Sequence, residues 1–166
     1  MSEFENKGYS GGCTCGLVRY ILTRDPMFVH CCHCTWCQKE TGAAFAVNAI
    51  IESEFVELTK GTPIIVDTPS YSGEGQKILR CPDCQMALWS YYSGSGELVS
   101  FIRVGTLDEP SDFSPDIHIY TSTKLPWVNL TGEIPVVSEY YDFKEYWPEE
   151  SIKRREAVFN KLKNQR

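Results

Sequence analysis

The chain has 166 residues, 42% hydrophobic and 13% aromatic, and a formal net charge of −6. A chain of this size hides roughly 70% of its unfolded surface on folding, so its eight cysteines are not needed to rescue a core too small to hold. The acidic balance argues against nucleic acid or an anionic membrane as main partner. The longest near-apolar run, residues 43–51, is broken by Asn48 and too short to span a bilayer.

Residues 1–8 read as a polar tail of mixed charge, with no secretory signal. Residues 9–16 carry a Gly-Gly turn and the first cysteine pair, and 16–22 alternate as a strand that Asp25-Pro26 punctuates. A second strand over 27–34 runs into Cys32-His33-Cys34-Thr35-Trp36-Cys37. Residues 35–41 predict a turn or short helical piece stopped by Gly42, and 43–51 a buried strand. Strands follow at 54–58, 64–67 and 70–71, then a hairpin-like turn at 72–75. Residues 76–80 lead into Cys81-Pro82-Asp83-Cys84 and 87–92 lead away; after a turn at 93–96 come strands at 97–104 and 117–121.

Residues 148–163 predict a helix, with Glu149 and Glu150 at its start and Lys161 and Lys163 at its end to complement the dipole. Ile152, Phe159 and Leu162 share a face, and Lys153-Arg154-Arg155 reads as a solvated face rather than a nucleic-acid patch. The pattern is a mainly β domain over 9–147, a tail over 1–8, and a helix over 148–166 packed on that domain or trailing it.

Without a secretory signal the thiols are expected in the reducing cytoplasm, where clustered cysteines more often bind metal than pair as disulfides. Zinc takes four tetrahedral ligands, and thiolates suit it. Cys13 and Cys15 share a face of an extended segment, and Cys81 and Cys84 have the CxxC knuckle spacing; together they make a closed, structural site. Cys32 and Cys34 share a face in the same way, and Cys34 and Cys37 form another CxxC. These three suit a second ion with one position open to chemistry. Cys31 points the other way on a strand and reads as a buried structural cysteine. His33 also points away, although a role as fourth ligand or outer partner stays open. Completion by Cys31 or His33 would make the second site structural as well. Three thiolates on a zinc dication leave one net negative charge. That blunts acidification of water but suits holding an incoming thiol as thiolate.

The order Gly12-Cys13-Thr14-Cys15-Gly16, then Cys32-His33-Cys34-x-x-Cys37 with Thr41-Gly42, then Cys81-x-x-Cys84, resembles the glutathione-dependent formaldehyde-activating (GFA) family, which includes centromere protein V. Val104-Gly105-Thr106-Leu107-Asp108, His118-Ile119-Tyr120 and Lys124-Leu125-Pro126-Trp127 extend the likeness. The resemblance implies an Mss4-like fold of several small, bent antiparallel sheets. It implies two Zn2+ per chain: a structural ion on Cys13, Cys15, Cys81 and Cys84, and a catalytic one on Cys32, Cys34 and Cys37. It also implies a carbon–sulfur lyase activity that adds glutathione to formaldehyde. Gln38 stands where members often carry a basic residue, and Gln85 where glycine usually follows the knuckle.

Lys39 is a candidate for a carboxylate of a glutathione-like ligand, Trp36 and residues 42–45 for pocket walls, and His118 for a proton shuttle or outer partner. Each has a purely structural counterpart: an exposed lysine, plain core, a hydrogen-bonded histidine. The expected enzyme acts on a thiol adduct of a small carbonyl, with a small thiol such as glutathione as partner and no nucleic acid or membrane. The alternative is a non-catalytic protein-binding module with two structural zinc sites. Methionine sulfoxide reduction would need a metal-free reactive cysteine, for which only Cys31 is available.

Overall fold

Every residue of Phe28–Cys32 is buried, which a strand achieves only when both faces of its sheet are covered. This strand, β3, lies inside the larger of two sheets in a computed structural model that describes residues 8–164. The expected tail therefore lies outside the described residues, except for Gly8. The chain runs β1 (Tyr9–Gly12), β2 (Arg19–Leu22), β3, helix α1 (Thr35–Thr41), β4 (Ala46–Glu52), β5 (Val56–Lys60), β6 (Ile64–Thr68) and β7 (Gln76–Arg80). Then come β8 (Ala87–Tyr92), β9 (Val99–Arg103), β10 (Ile117–Ile119), α2 (Phe143–Tyr146) and α3 (Glu149–Asn164). The fold is mainly β with a C-terminal helix. A three-stranded sheet has order β1-β2-β5, and a seven-stranded sheet has order β10-β3-β4-β9-β8-β7-β6. Pairing is antiparallel except for β10 on β3, which is parallel.

The pleat of the large sheet sorts its side chains onto two cores. One face sends Val29, Ala49, Ile102, Trp89 and Leu79 towards Tyr20 and Leu22 of the small sheet. The other sends Phe28, Cys32, Ile50 and Ile119 towards Trp147 and Val158 of the C-terminal segment. The Gly-Gly pair expected to turn lies instead in β1. A Cβ on Gly11 would come 2.7 Å from the Tyr20 ring, and one on Gly12 would come 2.4 Å from the Val18 carbonyl, so both glycines serve close packing of backbone. Ser70 and Tyr71 are not a strand but belong to the β6–β7 connection.

After β10 the chain doubles back along the edge of the sheet. His118 donates its N–H to Pro135 O at 2.9 Å, and Tyr120 donates to Glu139 O at 2.9 Å, which covers an edge that would otherwise expose unpaired backbone. The α3 helix then docks on the second core through Val158. Ser151 Oγ donates to Met27 O at 2.7 Å. The basic run there is not a solvated face. Arg154 grips the buried Glu52 carboxylate with two bonds, at 2.8 and 2.6 Å, and Arg155 lies over the Phe143 ring at 3.8 Å. Only Lys153 of the three is exposed. No helix among the described residues is long and apolar enough to cross a membrane.

Breaking a buried ion pair leaves an uncompensated charge. Arg154→Met is therefore expected to lower the unfolding free energy of the metal-loaded protein by about 3 kcal/mol in urea titrations. Lys161→Ala breaks an exposed pair with Glu54 and is expected to cost less than about 0.5 kcal/mol. Equal losses would contradict this account of helix docking.

Candidate metal centres and the pocket beside them

Two turns bring the outer cysteine pairs together. Cys13 and Cys15 follow β1, and Cys81 and Cys84 lie between β7 and β8. All eight cysteines are unpaired. The four sulfurs of this set lie within 4.8 Å of one another, with Cys13 to Cys15 at 3.4 Å and Cys15 to Cys81 at 3.6 Å. Sulfurs about 2.3 Å from a tetrahedral zinc sit about 3.8 Å apart, so the set fits that ion. Gln85, which stands where glycine usually follows the knuckle, adopts φ 61°, the left-handed turn that glycine takes readily. Its N–H donates to Cys81 O at 3.0 Å.

The second set, Cys32, Cys34 and Cys37, also has its sulfurs within 4.8 Å of one another. Cys32 ends β3, and Cys34 caps α1, its sulfur accepting the Cys37 N–H at 3.3 Å. Gly42 closes the helix at φ 65°. Gln38 reaches back from α1 and donates to the carbonyls of His33 at 2.8 Å and Thr123 at 3.0 Å. The residue that departs from the family pattern thus ties the cysteine loop to the chain after β10.

The donor chemistry of both sets suits a cation. Hydrogen bonds from Cys32 and Cys37 favour the Cys34 thiolate and hold its pKa far below the usual thiol range, against the effect of burial. The Cys34 and Cys37 sulfurs, then burial, push Cys32 strongly up. At the outer set, burial raises Cys13, but hydrogen bonds from the Val18 N–H and its neighbouring sulfurs bring it down to about 6. At Cys15 the Leu17 N–H favours the thiolate, yet the neighbouring sulfurs push it up to about 12. In each set one thiol ionises easily and another resists. A dication in place of the remaining protons removes that resistance.

Cys31 and His33 belong to neither set. Cys31, 1% exposed, lies on the other side of β3. Its sulfur is 3.5 Å from His33 Nε2, which lies 3.0 Å from His118 Nδ1 on the paired strand β10. One imidazole donates to the other, so the two rings cannot both be protonated at this contact. Burial, then His118 and Lys124, pushes His33 down to about 4, and burial lowers His118. His118 thus has a hydrogen-bonded place in the fold, and His33 Nδ1 is buried without a partner.

A cavity of about 240 Å³ opens on the second set. Its walls are aromatic: Trp36 from α1, Tyr71, Tyr92 from β8, Phe101 from β9, Tyr120 and Tyr140. His30, Asn48 and Arg103 stand abreast on β3, β4 and β9 and form its polar floor. Arg103 is 8% exposed. It donates from Nη1 to Asn48 Oδ1 at 3.1 Å, while its Nε is buried without a partner. Lys39 is exposed and does not line the cavity; among the described residues Arg103 is the lysine or arginine that does. Nothing in the local sequence marks Arg103. Only register between strands 55 residues apart sets it beside Asn48.

Residues 8–123 match the model of the family described as glutathione-dependent formaldehyde-activating enzyme. Among solved structures the chain is similar to a crystal structure of a Rhodobacter sphaeroides protein, at 17% identity over 77% of this chain and 99% of that one, with a TM-score of 0.45. No curated protein matches.

Native mass spectrometry of zinc-loaded protein is expected to count two ions per chain. Cys34→Ser is expected to hold one ion and keep its fold by circular dichroism. One ion in the parent, or collapse of Cys34→Ser, would contradict the division into a closed and an open set.

Proposed function

This chain belongs to the glutathione-dependent formaldehyde-activating enzyme family, and on that premise we propose that it is a carbon–sulfur lyase-type enzyme. It joins a small thiol such as glutathione to a small carbonyl such as formaldehyde, or reverses that addition. The observation that carries the reading is the placement of Cys32, Cys34 and Cys37, alone of the cysteine sets, on the wall of a cavity. The outer set is the structural counterpart. Eight unpaired thiols suit the reducing cytoplasm.

Cys32, Cys34 and Cys37 would hold a zinc ion, which would supply Lewis acidity and favour the thiolate form of an incoming sulfur at neutral pH. The chain supplies the rest. The aromatic walls exclude water and hold sulfur and carbonyl in contact. In the forward direction a sulfur lone pair forms the carbon–sulfur bond while the carbonyl π pair moves to oxygen. That oxygen then takes a proton, giving a hydroxymethyl thioether. Tyr120, on the cavity wall, carries the hydroxyl that serves as proton donor, although burial, then the nearby Cys32 sulfur, pushes its pKa up to about 12. Arg103 offsets the net negative charge of three thiolates and a dication.

Cobalt-substituted protein reports the first step. Glutathione or another small thiol at millimolar concentration is expected to shift the cobalt bands, and no shift would overturn the reading in favour of a module with two structural sites. Tyr120→Phe is expected to keep the shift but slow product formation, followed by NMR, by about 10²-fold.

A further inference from the structure

The cavity beside Cys32, Cys34 and Cys37 carries a second message in its size and charge. About 240 Å³ is below the roughly 300 Å³ of the smallest clefts that bury a drug-sized ligand. Its walls present six aromatic side chains. His30 is buried, and the Tyr141 hydroxyl engages its Nε2 at 2.5 Å. Glu40, the carboxylate on the wall, is engaged by Arg80. That leaves one cation, Arg103, buried and with an unpartnered Nε.

Outside lies a wider cleft of about 790 Å³ that shares Trp36, Tyr71 and Tyr92 with the inner cavity. Its charged groups are Asp67, Glu74 and Glu97 against Lys77. Glutathione carries two carboxylates and one ammonium on a polar backbone. With its sulfur at the three cysteines, it overfills the inner cavity, where one cation serves two carboxylates, and an end that projects outward meets an acidic cleft. An exposed like charge costs little by itself. A buried polar group left without a partner costs more.

We propose that this pocket selects a compact thiol with a flat, apolar body and a single carboxylate, and that glutathione is not its preferred thiol. The sulfur sits at Cys32, Cys34 and Cys37, the body lies among Tyr92, Phe101, Tyr120 and Tyr140, and the carboxylate accepts from Arg103. Tyr140 comes from beyond the family-matched residues 8–123. The inference rests on the thiol-binding reading above.

Isothermal titration of zinc-loaded protein with 4-(mercaptomethyl)benzoate, its benzamide and glutathione tests it. The benzoate is expected to bind at least about tenfold tighter than either of the others, about 1.4 kcal/mol. Arg103→Met, with its zinc content verified, is expected to bring the benzoate down to the level of the benzamide and leave the benzamide unchanged. Glutathione binding as tightly as the benzoate overturns the preference while leaving the thiol-binding reading intact. Equal weakening of both aromatic thiols in Arg103→Met, or a benzamide that matches the benzoate in the parent, overturns the carboxylate assignment. Binding of none of the three overturns the thiol-binding reading, and this inference falls with it.

Discussion

The alternation of side chains along β3 is the constraint on which the rest of the molecule depends. Successive residues of a strand face opposite sides, so two adjacent cysteines part company: Cys31 joins His33 and His118, while Cys32 joins Cys34 and Cys37. A one-residue slip would exchange them and send the apolar Val29 to the pocket side. Register is held from both flanks, by β4 paired over all five residues of β3 and by β10 on the other edge. The backbone after β3 then leaves the sheet, and α1 begins at Cys34, which brings the third sulfur round to meet the first two.

Burial on both faces is what keeps β3 in place, and each face is closed by different means. On one side the small sheet packs through Tyr20 against Trp89, ring centroids 5.4 Å apart, and the outer cysteine set joins the end of β1 to the β7–β8 turn. On the other, the C-terminal segment runs beside β10 and ends in α3, held by Ser151, Val158 and the Arg154–Glu52 pair. The same segment delivers Tyr140 to the pocket and Tyr141 to His30. Covering the sheet and shaping the cavity are therefore one structural task.

What was legible in the chain was local. Cysteine spacings of two and three residues named the two sets, because ligands so close along the chain can meet only in a few ways. Alternating runs named most strands, and Gly42 marked the end of α1. What escaped depended on partners far along the chain. Gly11 and Gly12 looked like a turn because the ring of Tyr20 and the Val18 backbone that crowd them are invisible without the fold. Lys39 looked like the ligand's cation because it is near the cysteines in sequence; Arg103, remote in sequence, is the one on the wall. Arg154 looked like solvated helix surface until the Glu52 carboxylate came into reach. Nothing local pointed to Tyr71 and Tyr140, which converge on the pocket from two loops far apart in the chain.

The same crowding that makes the inner thiols poor acids as a group explains why the surroundings are apolar. Three thiols packed in a low-dielectric wall cannot all ionise in company with protons, since each added thiolate meets the field of the first. Water or lysines around them would relieve that repulsion and weaken the demand for a divalent cation. Aromatic rings do neither. Tyr92, held well above its usual pKa by burial and then by the Cys37 sulfur, adds no competing charge while still carrying a proton. The single guanidinium of Arg103 sits where it can balance one negative charge. A donor set suited to a cation, an aromatic cavity wall and a single guanidinium beside it thus share one arrangement, three sulfurs turned towards the same side of a fully buried strand.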